Sequence, residues 1–305
     1  MAIRENKKTT GSIIFSIINY TLFGLFTLAC IYPFYYLIIN TISANDMSAN
    51  GVINFFPEKI HFRNYVEVLK LNGLPQAAVI SILRTSIGTA CTVIASAFLG
   101  FMFTQKKMWK RKLWYRFLVV TMYFNAGLIP VFITMHILGL TTNFWVYILP
   151  AIVQPFYIIL VKTYLESIDP ALQEAAEIDG AGVIKIFFKI MLPVSIPILA
   201  TIAIFAAVGQ WNSFYDTLIF NYGNQKLYSL QFVLYQYINQ ANSLAQLIRN
   251  SVAMDSGTML ALTMRQTPTS IRMTVSVIVV LPILLVYPMF QRYFVKGIMI
   301  GSVKG

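Results

Sequence analysis

Residues 169–193 read D-P-A-L-Q-E-A-A-E-I-D-G-A-G-V-I-K-I-F-F-K-I-M-L-P, a polar island between two strongly apolar segments. With Glu166 just upstream, the island holds five of the chain's eleven acidic side chains: Glu166, Asp169, Glu174, Glu177 and Asp179. Asp169-Pro170 is a helix start, with Asp as N-cap and Pro at the first helical position. Ala171 to Ile178 is built of good helix formers. Gly180 and Gly182 stop that helix and permit a sharp turn. Ile184 to Leu192 restarts as a short amphipathic helix that ends at Pro193. The expected product is a helix–turn–helix at a membrane surface, presenting small residues and carboxylates outward.

The spacing Glu174-Ala175-Ala176, then Asp179-Gly180-Ala181, then Phe187 or Phe188, then Leu192-Pro193 resembles the EAA loop of ABC importer permeases. The Asp-Gly-Ala form is similar to the carbohydrate-uptake branch, including the maltose-type permeases. In that family the loop is a coupling helix that docks in a groove of the ATPase subunit. The resemblance therefore implies an ATPase-coupling role for Glu174, Ala175, Ala176, Asp179, Gly180, Ala181 and Gly182. The residue types suit it. Alanines allow close approach, Glu174 offers a carboxylate to a partner's cation, and the glycine turn sets the angle.

The rest of the chain agrees with a membrane setting. Its 305 residues are 57% hydrophobic and 11% charged, with mean hydropathy +0.68. That charged share is less than half of the roughly 25% usual for soluble domains. The fold class is all-α, a polytopic membrane protein with six spans at about 13–39, 77–104, 113–135, 144–165, 194–220 and 271–290. Residues 1–12 form a polar tail. Coupling loop 166–193 and a long loop 221–270 join the later spans, and 291–305 forms a second tail. The resemblance implies the type I ABC importer permease fold.

Charge orients the chain. The net charge of +12 sits mainly in short segments between spans, above all Lys106, Lys107, Lys110, Arg111, Lys112 and Arg116. Positive-inside bias puts these, both termini and the coupling loop on the cytoplasmic side of a bacterial plasma membrane. It also explains the basicity without nucleic acid. Cys30 and Cys91 fall in apolar runs and read as small buried hydrophobes; neither they nor His61 and His136 make a metal pattern.

Two places suggest a substrate pathway. Arg84 lies inside the second span, where a cation is either functional or snorkels to the outer headgroups. In the fifth span, Gly209-Gln210-Trp211-Asn212-Ser213-Phe214-Tyr215-Asp216 lies near the outer end. A continuous helix puts Asn212 and Asp216 on one face and Trp211 and Tyr215 on the next. Aromatic rings beside polar groups suit a sugar, and an interfacial aromatic belt is the other reading. The Trp-Asn-Ser-Phe run resembles a W-N-x-F segment of sugar permeases.

In loop 221–270, Leu227 to Ile248 has helical pattern, and Ser251 to Pro268 reads as mobile. By position this loop is similar to the scoop loop that enters the extracellular binding protein in maltose-type permeases. Residues 291–305 resemble the tail of the second permease of such systems, where it reaches the ATPase dimer. The tail and first span are similar to permeases serving complex-polysaccharide fragments.

No G-x-x-x-x-G-K-[ST], HExxH or GxSxG occurs, so no P-loop, catalytic residue, metal site or bound cofactor is expected in this chain. The resemblance implies a second homologous permease, two ATPase subunits using ATP and Mg, an extracellular solute-binding protein, an oligosaccharide substrate and surrounding membrane lipid. The alternatives are an importer of a phosphodiester or amino acid, and a stand-alone secondary carrier or channel.

Overall fold

The computed structural model describes residues 10–71, 73–250 and 267–299. Residues 1–9, the 251–266 part of the long loop and the last six of the tail lie outside them. Helices run in the order α1 (Thr10–Ile42), α2 (Asn45–Ala49), α3 (Arg63–Leu69), α4 (Leu74–Thr104), α5 (Arg111–Tyr123) and α6 (Leu128–Ile137). Two 3-10 turns, Phe144–Tyr147 and Leu149–Ala151, lead into α7 (Pro155–Glu166), α8 (Ala171–Ile178) and α9 (Val183–Ile186). After a π turn at Phe187–Met191 come α10 (Leu192–Val194), α11 (Ile196–Asn212), α12 (Tyr215–Phe220), α13 (Leu230–Asn250) and α14 (Pro268–Met299). No strand occurs among the described residues.

Thr10–Ile42, Leu74–Thr104 and Thr269–Val286 are each long and apolar enough to cross a membrane. Three bent helix pairs raise the number to six if each pair is one span. Every predicted span therefore has a helical counterpart, but three of them are broken.

The third span, expected over 113–135 with its outer half loosened at Gly127 and Pro130, is α5 and α6 meeting at 117°. The Asn125 side chain accepts the Gly127 N–H at 2.9 Å, and Gly127 takes φ +83. Pro130 then falls in the first turn of α6, where its missing N–H leaves no bond unmade. The fourth span bends by 44° between its 3-10 half and α7, with Pro155 opening α7. A 78° bend at Ser195, between Pro193 and Pro197, sets the end of the 169–193 stretch off from the fifth span.

The fifth span itself breaks at Ser213, which is extended (ψ 124). The Ser213 carbonyl accepts from Arg84 Nη1 at 3.2 Å, and the Thr217 N–H that would have bonded to it goes to Asp216 Oδ1 at 2.9 Å. Side chains have taken over the backbone groups that would continue the helix.

Two compact units divide the chain, one of the chain up to Val68 with Tyr237–Ile278, the other of Leu69–Gln236 with the chain from Val279 onward. In the first, amides tie the end of α1 to the segments after it. Asn40 Nδ2 donates to Ile53 O, and Asn64 Nδ2 donates to Thr41 O. Ser48 Oγ donates to Asn40 Oδ1 at 2.8 Å. Most of α1 is exposed, Cys30 included, so that cysteine is not a buried hydrophobe; Cys91 is half-buried.

The second unit is organised on α4, which packs against α7 and α11. Its approach to α7 is at Gly100, where a Cβ would stand 2.7 Å from Val161 Cβ. Its core joins Ala97 and Phe101 of α4 to Val161 and Leu165 of α7, to Ile198, Leu199 and Ile202 of α11, and to Ala176, Ile186 and Phe187. The last three belong to the 169–193 stretch, so that stretch is anchored in the helix core.

Candidate functional site

Two neighbourhoods carry the predicted residues. The first begins at Arg84, 1% exposed in the middle of α4. A guanidinium has five N–H donors and no acceptor. All five find partners. Nε and Nη2 donate to Gln210 Oε1 at 3.2 and 3.1 Å, and Nη1 donates to Ser213 O and Asp216 Oδ1 at 3.2 and 3.1 Å. Nη2 also pairs with Asp216 Oδ2. The guanidinium lies 4.3 Å from the centre of the Tyr147 ring.

Removing such an ion from water costs several kcal/mol, and only complete hydrogen bonding with a countercharge offsets it. Arg84 therefore does not snorkel toward headgroups; it is locked into the protein. Gly88 makes room for this. It lies one turn along α4, and a Cβ there would stand 2.8 Å from Gln210 Nε2. Gln210 Nε2 donates onward to Tyr147 O at 3.1 Å. The Tyr147 hydroxyl donates to Leu227 O at 2.6 Å and lies 3.1 Å from Thr217 Oγ1. The network thus joins α4, α11, α12 and the 3-10 turns of the fourth span.

Above the network opens a cavity of about 390 Å³, lined by Arg84, Tyr147, Gln154, Tyr157, Gln210 and Asp216 among others. It offers amide and carboxylate groups beside aromatic faces. Of the predicted pathway residues, Arg84 and Asp216 border it, and the other three stand elsewhere. The break at Ser213 removes the shared face expected for Asn212 and Asp216. Trp211 is buried at 9% exposure, donates Nε1–H to Val279 O at 3.0 Å and borders a separate apolar cavity of about 260 Å³. Asn212 Oδ1 accepts from Gln231 Nε2 at 3.1 Å, and Tyr215 is exposed.

Gln210 and Tyr147 were missed. One signal was available: Asp216 is the single acidic residue within the predicted spans, so it was the natural countercharge for Arg84.

The second neighbourhood is the 169–193 stretch. Asp169 Oδ1 accepts the Ala171 N–H at 2.9 Å, as its N-cap reading requires. The helix α8 closes with paired bonds, Ala181 N–H to Ala176 O and Gly180 N–H to Glu177 O, at 3.0 and 3.1 Å. Gly180 supplies the left-handed residue at φ +75. This is the Schellman arrangement.

The outward face differs from expectation in one respect. Glu174, Ala175, Asp179, Gly180 and Gly182 are exposed, but Ala176 is buried and Ala181 half-buried against the core. Between the two candidate phenylalanines, Phe187 is buried and Phe188 is 58% exposed. Phe187 packs edge-on to Phe98 at 5.6 Å and 5.3 Å from Phe101, both on α4.

A polar tether also holds α8. Lys107 Nζ pairs with Glu177 Oε2 at 3.1 Å, and Gln173 Nε2 donates to Glu177 Oε1 and to Gln105 Oε1 at 2.8 and 3.0 Å. The Gln173 hydrogen bond and the Lys107 ammonium hold the Glu177 carboxyl below its usual range. Glu174 makes no ion pair among the described residues.

No cluster of metal-ligating side chains occurs among the residues described. The family model "Binding-protein-dependent transport system inner membrane component" matches residues 92–300. The chain is 30% identical to the polygalacturonan/rhamnogalacturonan transport system permease protein YtcP of Bacillus subtilis, over 96% of this chain and 99% of that one. It is 31% identical to protein LplC of the same organism, over 99% of each. Among solved structures, a chain of a bacterial ABC transporter involved in import of the acidic polysaccharide alginate is 28% identical. It superposes with a TM-score of 0.81 over 94% of this chain and 98% of that one.

Proposed function

Because the chain belongs to the family of binding-protein-dependent transport inner membrane components, we propose that it is one permease subunit of an ATP-driven oligosaccharide importer. The observation that carries the substrate class is its near full-length similarity to a permease named for polygalacturonan and rhamnogalacturonan and to a chain of an alginate importer. Both of those substrates are polymers rich in acidic sugars, so acidic oligosaccharides are the first candidates.

The remaining parts of the machine follow from the same reading. A second homologous permease completes the pathway, an extracellular binding protein delivers the sugar, and two ATPase subunits use ATP and Mg. The basic 106–116 turn, both termini and the 169–193 element face the cytoplasm. There the exposed row Glu174, Ala175, Asp179 and Gly180 meets the ATPase. ATP-driven movement of that row passes into α4, α7 and α11 through Ala176, Ile186 and Phe187, and the bundle alternates between inward- and outward-facing states. The cavity beside Arg84 and Asp216 is the part of the pathway this subunit contributes. Its ion pair is internally neutralised, so it offers hydroxyl partners and ring faces to a sugar.

The test is a tagged pull-down from the native membrane in mild detergent, followed by mass spectrometry. Co-purification of an ATPase and a second permease is expected, with uptake competed by galacturonate oligomers. A solitary chain that transports down a gradient in liposomes would return the carrier or channel reading. Uptake competed only by amino acids or phosphodiesters would remove the sugar.

A further inference from the structure

Between α4 and α5 the chain concentrates positive charge, and among the described residues only its Lys106–Lys107 end, with Arg111, faces the acidic side chains of the 166–177 stretch. Six cations occur in residues 106–116, and no acidic residue lies anywhere between Glu67 and Glu166. Lys107 is taken by Glu177, and Arg111 Nη1 donates to Thr104 O at 2.8 Å, capping α4. Lys106, Lys110, Lys112 and Arg116 make no ion pair among the described residues. With Arg111 and Leu113 they line an open pocket of about 480 Å³ at the start of α5. The start of α5 has no acidic residue in its first turn, so the helix dipole adds to the field.

The apolar side of this pocket continues along the same helix. No residue of α5 is buried. Leu113, Phe117 and Val120 stand at i, i+4 and i+7, each more than half exposed, and form one stripe leading away from the cations. Trp109 and Trp114, both exposed, flank the junction, and Lys110 Nζ lies 4.7 Å over the Trp109 ring. Aromatic residues of this kind favour the headgroup level of a bilayer. A charged pocket that opens onto an apolar stripe matches one kind of molecule in both halves.

The geometry points to a binding site for an anionic phospholipid. Its phosphate is held by Lys106, Lys110, Lys112 and Arg116, and an acyl chain lies along Leu113, Phe117 and Val120. The site has a consequence for the importer. It adjoins Gln105 and Lys107, which tether α8, so a bound lipid braces the turn from which the coupling element is held. This rests on the membrane location of the chain and not on the identity of the sugar.

The test uses the assembled transporter in nanodiscs of phosphatidylcholine with or without phosphatidylglycerol, with retained lipid counted by native mass spectrometry. Wild type is expected to retain phosphatidylglycerol in preference to phosphatidylcholine. The combined variant Lys106→Gln, Lys110→Gln, Lys112→Gln, Arg116→Gln is expected to retain it about tenfold less or worse, since each surface cation contributes appreciably to such binding. Replacing the three lysines with arginine is expected to keep it. Equal retention by wild type and the glutamine variant would overturn the site. Thermal stabilisation by inorganic phosphate in phosphatidylcholine discs, equal to that by phosphatidylglycerol, would make it a free-phosphate site and overturn the lipid assignment. Loss of the ATPase subunits with lipid retention unchanged would show the cations to be a protein dock, again against the proposal.

Discussion

Arg84 and Asp216, 132 positions apart, form a two-pronged ion pair whose guanidinium side chain is 2% exposed and whose carboxylate side chain is 21% exposed. Both arms of the carboxylate are engaged, and the same guanidinium terminates α11 by taking the Ser213 carbonyl. The pair thus decides where the fifth span breaks as well as what charge faces the cavity. Asp216→Asn keeps the shape but leaves a buried cation without its countercharge. Removing one partner of a buried pair costs about 3–5 kcal/mol, and the partial exposure of Asp216 puts this case at the lower end. Arg84→Met with Asp216→Leu is expected to lose less than Asp216→Asn alone. Thermal unfolding of the purified assembly checks the order, and simple additivity of the single variants would contradict it.

The two close approaches of α4 differ in stiffness, which separates their alanine variants. At Gly100 a methyl group would meet Val161 Cβ at 2.7 Å and the Ile158 carbonyl at 3.2 Å, neither of which can swing away. At Gly88 the obstacle is the end of the Gln210 side chain, 2.8 Å away. Gly100→Ala is expected to destabilise by about 1–3 kcal/mol, beyond the gain in helix propensity. Gly88→Ala is expected to cost less in stability but to displace Gln210 from Arg84. Melting temperatures in matched detergent give the comparison, and a more stable Gly100→Ala would refute the packing argument.

The helices were legible because apolar runs of span length have few other outcomes in a chain this poor in charge. The 169–193 stretch was legible in greater detail, because its N-cap, its helix formers and Gly180 are local signals that tertiary packing had no reason to override. The failures share a cause. Asn212 and Asp216 share a face only if the helix continues, and it stops because Arg84, on another helix, takes the Ser213 carbonyl. The third span read as loosened at Gly127 and Pro130, but its 117° bend also needs the Asn125 side chain to close the turn. Ala176 fits a docking face by motif and turns inward because α8 must also bury one side against α4 and α7.

The Lys107–Glu177 tether has a calculable pH range. The Glu177 carboxyl is held below its ordinary value of 4.5, chiefly by the Gln173 hydrogen bond and then by Lys107. A carboxyl depressed on folding contributes fully above its unfolded value and loses that contribution only as the pH falls through the folded one. From about pH 8 to about pH 5 the tether is therefore constant. The pH profile of transport by Glu177→Gln is expected to run parallel to that of wild type across this range. Profiles that diverge near neutrality would show that another charge governs the contact.

The turn of the coupling element can be separated from its stability. Gly180 sits at φ +75 in open space, so a side chain there meets no atom but forces a left-handed residue, at a cost of about 1–2 kcal/mol. Proline cannot adopt that φ at all. Gly182, two residues on, has φ −70 and equally open surroundings, so Gly182→Ala is expected to behave as wild type. Glu174 is exposed, and Glu174→Ala removes nothing that holds the fold. Glu174→Ala with Gly180→Pro should leave the chain in the membrane, because Ala176, Ile186 and Phe187 still anchor the stretch. It should also disconnect ATP hydrolysis from uptake, measured as substrate-stimulated ATPase activity and transport in the same proteoliposomes. Wild-type transport by that double variant, or an equal loss in Gly182→Ala, would show that the exposed row Glu174–Gly180 is not where the ATPase acts.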